Sequence, residues 1–470
     1  MSVLAQRKKT PAILFWVALA FLVLVAFTGG SSRSDVQSLV ILRPVAILVC
    51  ALAFITLRRS HMVAHKGMFI GFGAMIALTL VHLIPLPPVI WHQLPGRQEL
   101  AQVDMISGLG PIWRPLTLTP TNGWHALSSL FVPLAMMLLA VQIDLEDLHR
   151  FAPVILVLGA LSGLLGLLQV VGGGGAALYL YRGTNDGTAA GLFANRNHAA
   201  LFLAILFPIL ATWSVADKNH RMKSWLRIWS SIAAGVVLFP MILVTGSRSG
   251  LLLSIFGLIA AVAIFVAAFR ERSRTRTNLR SLGIFAAGLA GVVLLGFLTL
   301  RLSKADAIVR LVSTSRDSEF RFDIWRVSLE LFWKYFPFGS GAGSFVEAYQ
   351  IIEPAYQLNA NYRNHAHQDV LEIGLVFGLP GLVLLFVAIA SYFRNVYAVW
   401  FQRPADTIAV KIARMATVAI GMIVIASLVD YPLRTPFMMC IFTILWLWSV
   451  EPARAQRSTG YVRSVAKAEN

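Results

Sequence analysis

Long apolar runs separated by short polar connections recur along almost the whole chain. Windows of about nineteen residues place spans near 12 to 29, 39 to 57, 68 to 86, 126 to 143, 152 to 171, 197 to 216, 227 to 246, 249 to 269, 282 to 300, 369 to 391, 412 to 430 and 434 to 450. Each run is long enough for a helix to cross a hydrocarbon layer of about 30 Å. The pattern therefore predicts an all-α polytopic membrane protein of about 12 transmembrane helices. One stretch breaks the rhythm. From Arg316 to Gly381 the chain turns polar, basic and aromatic and passes through Asn361-Tyr-Arg-Asn-His-Ala-His367-Gln-Asp369. Charges and irregular backbone cannot be satisfied in hydrocarbon, so the polar part of this stretch is expected outside it.

Inside the stretch, Phe320, Ile324, Val327, Leu331 and Tyr335 recur at helical spacing after Ser318, a residue able to cap a helix. This predicts an amphipathic helix along the membrane surface. Arg321 and Trp325, four apart, share one face, so a cation and an aromatic plane are presented together. The helix is expected to stop at Pro337, and the glycines Gly339, Gly341 and Gly343 that follow read as a turn. They do not satisfy G-x-G-x-x-G and follow no strand, which argues against a nucleotide fold.

Composition supports the membrane reading, with 57% hydrophobic and only 13% charged residues. Cys50 and Cys440 both fall inside apolar runs, where they read as small core residues rather than a disulfide or a zinc site. The formal net charge is +18, and most of it lies in alternate connections: Arg7 to Lys9, Arg58 to Lys66, Lys218 to Arg227, Arg270 to Arg280, Arg394 to Lys411, and Arg454 to Lys467. By the positive-inside rule that side, with both termini, is cytoplasmic. The Arg7-Lys-Lys9 segment and its apolar run read as an uncleaved first span rather than a signal peptide. Gly172 to Gly175 reads as a flexible external turn. Membrane lipids are expected partners of the basic face and nucleic acid is not.

The opposite, external side also carries arginines, among them Arg196, Arg248, Arg321, Arg326, Arg363 and Arg434. Insertion bias does not account for them, and guanidinium groups suit phosphate oxygens. Thr245-Gly-Ser-Arg248-Ser-Gly250 predicts a tight hairpin that fixes Arg248 at the outer interface. His365 and His367 stand just before a span, with Asp369 and Glu372 close by. Histidines at i, i+2 do not share a helix face, so no metal site is expected. A neutral imidazole there suits general-base work instead. Asp430, Tyr431 and Arg434 form a further polar cluster, read as an ion pair.

Taken in order, Gly191-Leu-Phe-Ala-Asn-Arg196-Asn197-His198, the turn at Arg248, Arg321-x-x-x-Trp325, Phe336-Pro-Phe-Gly339-x-Gly341, and His367-Gln-x-x-Leu371 with Gly378 and Gly381 resemble the bacterial O-antigen ligase and O-antigen polymerase superfamily. The resemblance covers roughly residues 190 to 390. It implies a GT-C-type membrane glycosyltransferase of the inner membrane, with its active site at the periplasmic face and a large periplasmic loop at 301–368. Such an enzyme moves an undecaprenyl-pyrophosphate-linked glycan onto an acceptor hydroxyl, on lipid A-core or on another glycan, without a metal or other cofactor. Position by position, Arg248 and Arg321 look like the arginines that hold the pyrophosphate, and His367 looks like the residue that activates the acceptor. Arg196, Asn197, His198, Trp325, Arg326, Asp369 and Glu372 complete the candidate site. The chain departs from the family where Gln368 and Val376 stand in place of an Asn and an acid, so Asp369 or Glu372 is expected to orient His367.

The implied organisation is a group of N-terminal helices over 1–189, a ligase-like core over 190–395, and the last two helices and tail over 396–470. Ligase is favoured over polymerase. A secondary transporter and a non-catalytic glycan-lipid binding protein are the other classes that the helix count admits.

Overall fold

A computed structural model describes residues 12–172, 176–182, 187–216, 224–272, 316–358, 362–402 and 407–450. The span expected at 282–300, residues 301–315 of the 301–368 loop, the N-terminal Arg7 to Lys9 and the basic tail lie outside the described residues.

The helices that build the fold are α1 Ala12–Thr28, α2 Leu39–Thr56, α3 Lys66–Val81, α4 Pro120–Ala140, α5 Phe151–Val171, α6 Arg196–Ala216, α7 Ser224–Val244, α8 Arg248–Arg272, α9 Arg316–Tyr335, α10 Asp369–Phe401, α11 Ile408–Ala426 and α12 Pro436–Val450. Among the described residues, eight are long and apolar enough to cross a membrane, and α1, α3 and α12 are shorter apolar helices. The chain is thus an all-α polytopic membrane protein. Its strands are two residues each: Pro85–Leu86 pairs antiparallel with Arg114–Pro115.

The centre of the bundle is α6, 89% of whose apolar window is buried. Small residues let neighbours approach it closely. A Cβ on Gly250 would sit 2.2 Å from the Ala200 Cβ, and one on Gly257 would sit 2.8 Å from the Ala204 carbonyl oxygen, so α8 lies almost backbone to backbone on α6. Phe202, Phe193 and Phe437 stack across the joint between α6 and α12.

Sequence windows misplace several ends. The span expected at 412–430 is a helix that stops at Ala426, because Pro432 bars continuation and biases the residue before it towards extended backbone. Asp430 therefore sits in a turn beyond the helix rather than inside it.

The loops at one end of the bundle are stitched together. Ala194 N donates to Gly30 O at 3.1 Å, Phe437 N to Gly29 O at 2.9 Å, Leu118 N to Ser340 O at 3.0 Å and Asp369 N to Ser427 O at 3.0 Å. A buried arginine anchors the long 82–119 connection there. Arg97 is fully buried, with Nη2 donating to Leu116 O at 2.7 Å and Gly339 O at 3.1 Å, and its guanidinium lies over Tyr335.

The face read from sequence on α9 is the one that packs: Ile324, Val327, Leu331 and Tyr335 are buried together against α10. α10 itself is broken at Gly378, whose φ of 60° only glycine adopts without strain. The break frees backbone groups, and the 336–343 turn takes them up. Ser340 N donates to Leu375 O and Gly341 N to Val376 O, both at 2.9 Å, while Leu379 N donates to Pro337 O at 2.8 Å. A polar break in a membrane helix is sustained when protein groups replace the lost bonds, and here the glycine turn supplies them.

Candidate active site

Three helices start at this end of the bundle, each with a polar cap. Asn195 Oδ1 accepts from Asn197 N at 2.8 Å at the start of α6. Ser247 Oγ accepts from Gly250 N at 3.0 Å at the start of α8. Gln368 Oε1 accepts from Leu371 N at 3.1 Å at the start of α10. Caps of this kind satisfy amides that have no intrahelical partner. The helix starts are also linked to one another, since Ser247 Oγ donates to Asn197 Oδ1 at 2.8 Å. Two positive dipole ends, those of α6 and α8, are thereby drawn together.

Polar side chains from several of these elements converge on the Asp430 carboxylate. Asn197 Nδ2 donates to it at 2.6 Å, Asn195 Nδ2 lies at 3.4 Å, His367 Nδ1 at 3.2 Å and His198 Nε2 at 3.6 Å, and Arg321 Nη2 approaches to 3.9 Å. Tyr431 N adds a bond at 3.0 Å. Burial alone would raise the carboxyl, but the hydrogen bonds and charges of His198 and His367 hold it well below the usual carboxylate range. Asp430 is therefore ionised, and His367 presents Nδ1–H to it. When that ring is neutral, its lone pair is on Nε2.

His367 is held in an unusual way. Its φ of 53° makes it the only described residue other than glycine with positive φ, a conformation that costs a side-chain-bearing residue roughly 1–2 kcal/mol. Its ring packs edge-on against Tyr431 at 4.8 Å, and a side-chain exposure of 24% leaves it reachable. Such strain persists only when the surroundings impose it, and it is concentrated at functional sites.

The acids expected to orient His367 do something else. Asp369 accepts from Arg434 Nε at 2.8 Å, and Glu372 pairs with Arg434 Nη1 at 3.0 Å, with His365 Nδ1 at 2.8 Å and with Ala366 N at 2.8 Å. Both acids stand in the first turn of α10 and face Arg434, whereas the left-handed residue before that turn swings the His367 ring the other way, to Asp430. The ion pair read within Asp430, Tyr431 and Arg434 is thus divided: Arg434 belongs to the α10 acids and Asp430 to the histidines. Burial pushes the His365 imidazole down, opposed by Glu372.

The remaining candidates are spread around this centre. Arg248 is the first residue of α8, half-buried beside Ser247, and Arg196 opens α6 next to Asn197. Arg326 is exposed. Trp325 and Arg326 line a groove of about 610 Å³ between α9 and α10, walled by Phe322, Leu329, Phe332, Leu371 and Leu382 and reaching Gln368 beside the histidine. Among the described residues, the buried Trp325 Nε1–H has no hydrogen-bond partner. Among the described residues, no three or more His, Cys, Asp or Glu side chains are grouped as metal ligands would be.

The site adds Asp430, Asn195 and Ser247 to the residues picked from sequence. An acid at the end of an apolar run was the available signal for Asp430, because a buried carboxylate requires donors; which donors was not readable.

A carboxylate, two imidazoles and an arginine are thus gathered at one end of the bundle of a helical membrane protein. Residues 233–386 match the family model described as O-Antigen ligase, a match that supports ligase- or polymerase-like glycan processing in general. The match contains Arg248, Arg321 and His367, while Asn197 and Asp430 fall outside it. No curated protein matches the chain.

Proposed function

We propose that the protein is a metal-independent O-antigen ligase-like glycosyltransferase that moves an undecaprenyl-pyrophosphate-linked glycan to an acceptor hydroxyl at the periplasmic face of the inner membrane. The observation that carries this reading is the sharing of Asp430 by His367 and Arg321. A base and an anion-binding cation are placed within one side chain of each other.

In this reading Arg248, Arg321 and the helix starts of α6 and α8 hold the pyrophosphate. Arg321 has a side-chain exposure of 28% and stands beyond hydrogen-bond distance from Asp430, which leaves its planar fork for phosphate oxygens. The groove along α9 and α10 is apolar and opens next to the histidine, which suits a polyprenyl chain. Trp325 contributes its indole ring to the wall. His367 Nε2 takes the proton of the acceptor hydroxyl as its oxygen bonds to the anomeric carbon. The bond from that carbon to the pyrophosphate oxygen breaks, and the lipid pyrophosphate leaves with the electron pair, its charge met by the arginines. Asp430 stabilises the imidazolium formed. Asp369 and Glu372 act through Arg434 to keep the 363–368 segment in place.

The acceptor is lipid A-core in a ligase and a second lipid-linked repeat in a polymerase. Deleting the gene and examining lipopolysaccharide and exopolysaccharide separately tests the choice. Loss of glycan from lipid A-core with lipid-linked chains of full length supports ligation. Single unpolymerised repeats indicate the polymerase, and unchanged glycans with a purified protein that does not turn over a lipid-linked donor overturn the enzyme.

A further inference from the structure

Away from the site, Arg43 lies inside α2, a helix long and apolar enough to span. Its guanidinium is turned onto α4, where Nη1 meets His125 Nδ1 at 2.9 Å and Nη2 donates to Ser129 Oγ at 3.2 Å. His125 and Ser129 are four apart, so one face of α4 holds both. Both partners are neutral, because an imidazole nitrogen that accepts from a guanidinium carries no proton. Arg43 Nε is buried with no hydrogen-bond partner, and among the described residues no carboxylate perturbs Arg43. A cation is thus fixed at the edge of hydrocarbon with its orientation secured and its charge unbalanced.

The surroundings say what balances it. Val40 and Ile47, three before and four after Arg43 on the same face of α2, are exposed, as is Trp124 next to His125. These are positions that meet acyl chains, with an indole at the depth where Trp concentrates. Arg43 and His125 each stand little more than one turn, about 6 to 8 Å, inside their helix ends. Those ends are on the side of the functional site, since α2 follows the loop bonded through Gly30 and α4 follows the loop bonded through Leu118. A lone arginine free to move would extend towards water; this one is folded back against α4.

We infer that Arg43, His125 and Ser129 form a site for the phosphate of an anionic phospholipid in the leaflet that faces the functional site. Phosphate oxygens would accept from the unused guanidinium N–H groups, and the acyl chains would lie along Val40 and Ile47. Purified full-length protein in a neutral maltoside detergent provides the test, with thermal unfolding measured after addition of phosphatidylglycerol, phosphatidylcholine or inorganic phosphate. Phosphatidylglycerol should raise the unfolding temperature most, and Arg43→Gln should lose most of that rise. Arg59→Gln, which removes an exposed cation elsewhere, should keep it. Ser129→Ala with His125→Asn leaves the cation but removes its seat, so a reduced rise in that variant supports the site even if Arg43→Gln folds poorly. An equal rise in wild type and in every variant overturns the inference. An equal rise with inorganic phosphate or phosphatidylcholine overturns the assignment to an anionic lipid.

Discussion

Asp430 illustrates how much of this site rests on one side chain. Replacing it with Asn removes a charge that two histidines and an arginine face, and leaves an amide that donates as well as accepts. Asp430→Asn is expected to reduce turnover by about 10²-fold or more, as removal of a positioned base does in His367→Ala, with donor binding retained in both. His365→Ala should act mainly on stability, since His365 is tied to Glu372 rather than to the reacting groups. The acid side offers a separate check. The Asp430 carboxyl is depressed in the folded protein, so its stabilisation is complete above its unfolded value of about 3.9 and is lost as pH falls through the folded value. Thermal inactivation measured between neutral and strongly acid pH should therefore depend less on pH in Asp430→Asn than in the wild type. Lysine at Arg248 or Arg321 is expected to restore little activity to the alanine variants, because it lacks the planar fork; a fully active lysine variant would show that charge alone suffices. His367, Arg248 and Arg321 were legible because each sits in a short local motif. The partner of His367 was not, because it comes from a turn 63 residues away and only the tertiary fold brings the two together.

At the scale of elements, periodicity was a dependable guide where one face packs. The buried stripe of α9 was readable residue by residue because a helix on a protein surface hides one side. The break in α10 was not, since Gly378 and Pro380 mark irregularity without naming what heals it. The 336–343 turn does so, through backbone bonds that carry no side-chain signature. Gly378→Ala is accordingly expected to disturb more than one helix. Its Cβ would lie 2.1 Å from Pro337 O at a positive φ, and the conformational penalty alone is about 1–2 kcal/mol. Reduced thermal stability together with loss of transfer in Gly378→Ala, measured on protein that still inserts, would link the break to the seating of Arg321. Normal stability would show that the turn yields.

On the scale of the whole molecule, the succession of long apolar helices was legible because the bilayer imposes it on sequence directly. Helix ends were less so, as the early stop of α11 illustrates. The proposed orientation predicts that a reporter fused after Tyr356 signals the periplasm and one fused after Asn470 the cytoplasm. The same compartment for both would invert or discard the topology.

The long reach of the Asp430 contacts has a consequence for biosynthesis. Asn195 and Asp430 are 235 residues apart, so the ribosome releases the cationic half of the centre long before the anion that organises it. Until α11 is inserted, a nascent chain carries the arginines and histidines of the centre without their counter-charge. A chain truncated after Ala426 should accordingly be inactive even with α6 to α11 in the bilayer, and co-expression of the missing segment, the Asp430 turn with α12, as a separate polypeptide should restore transfer.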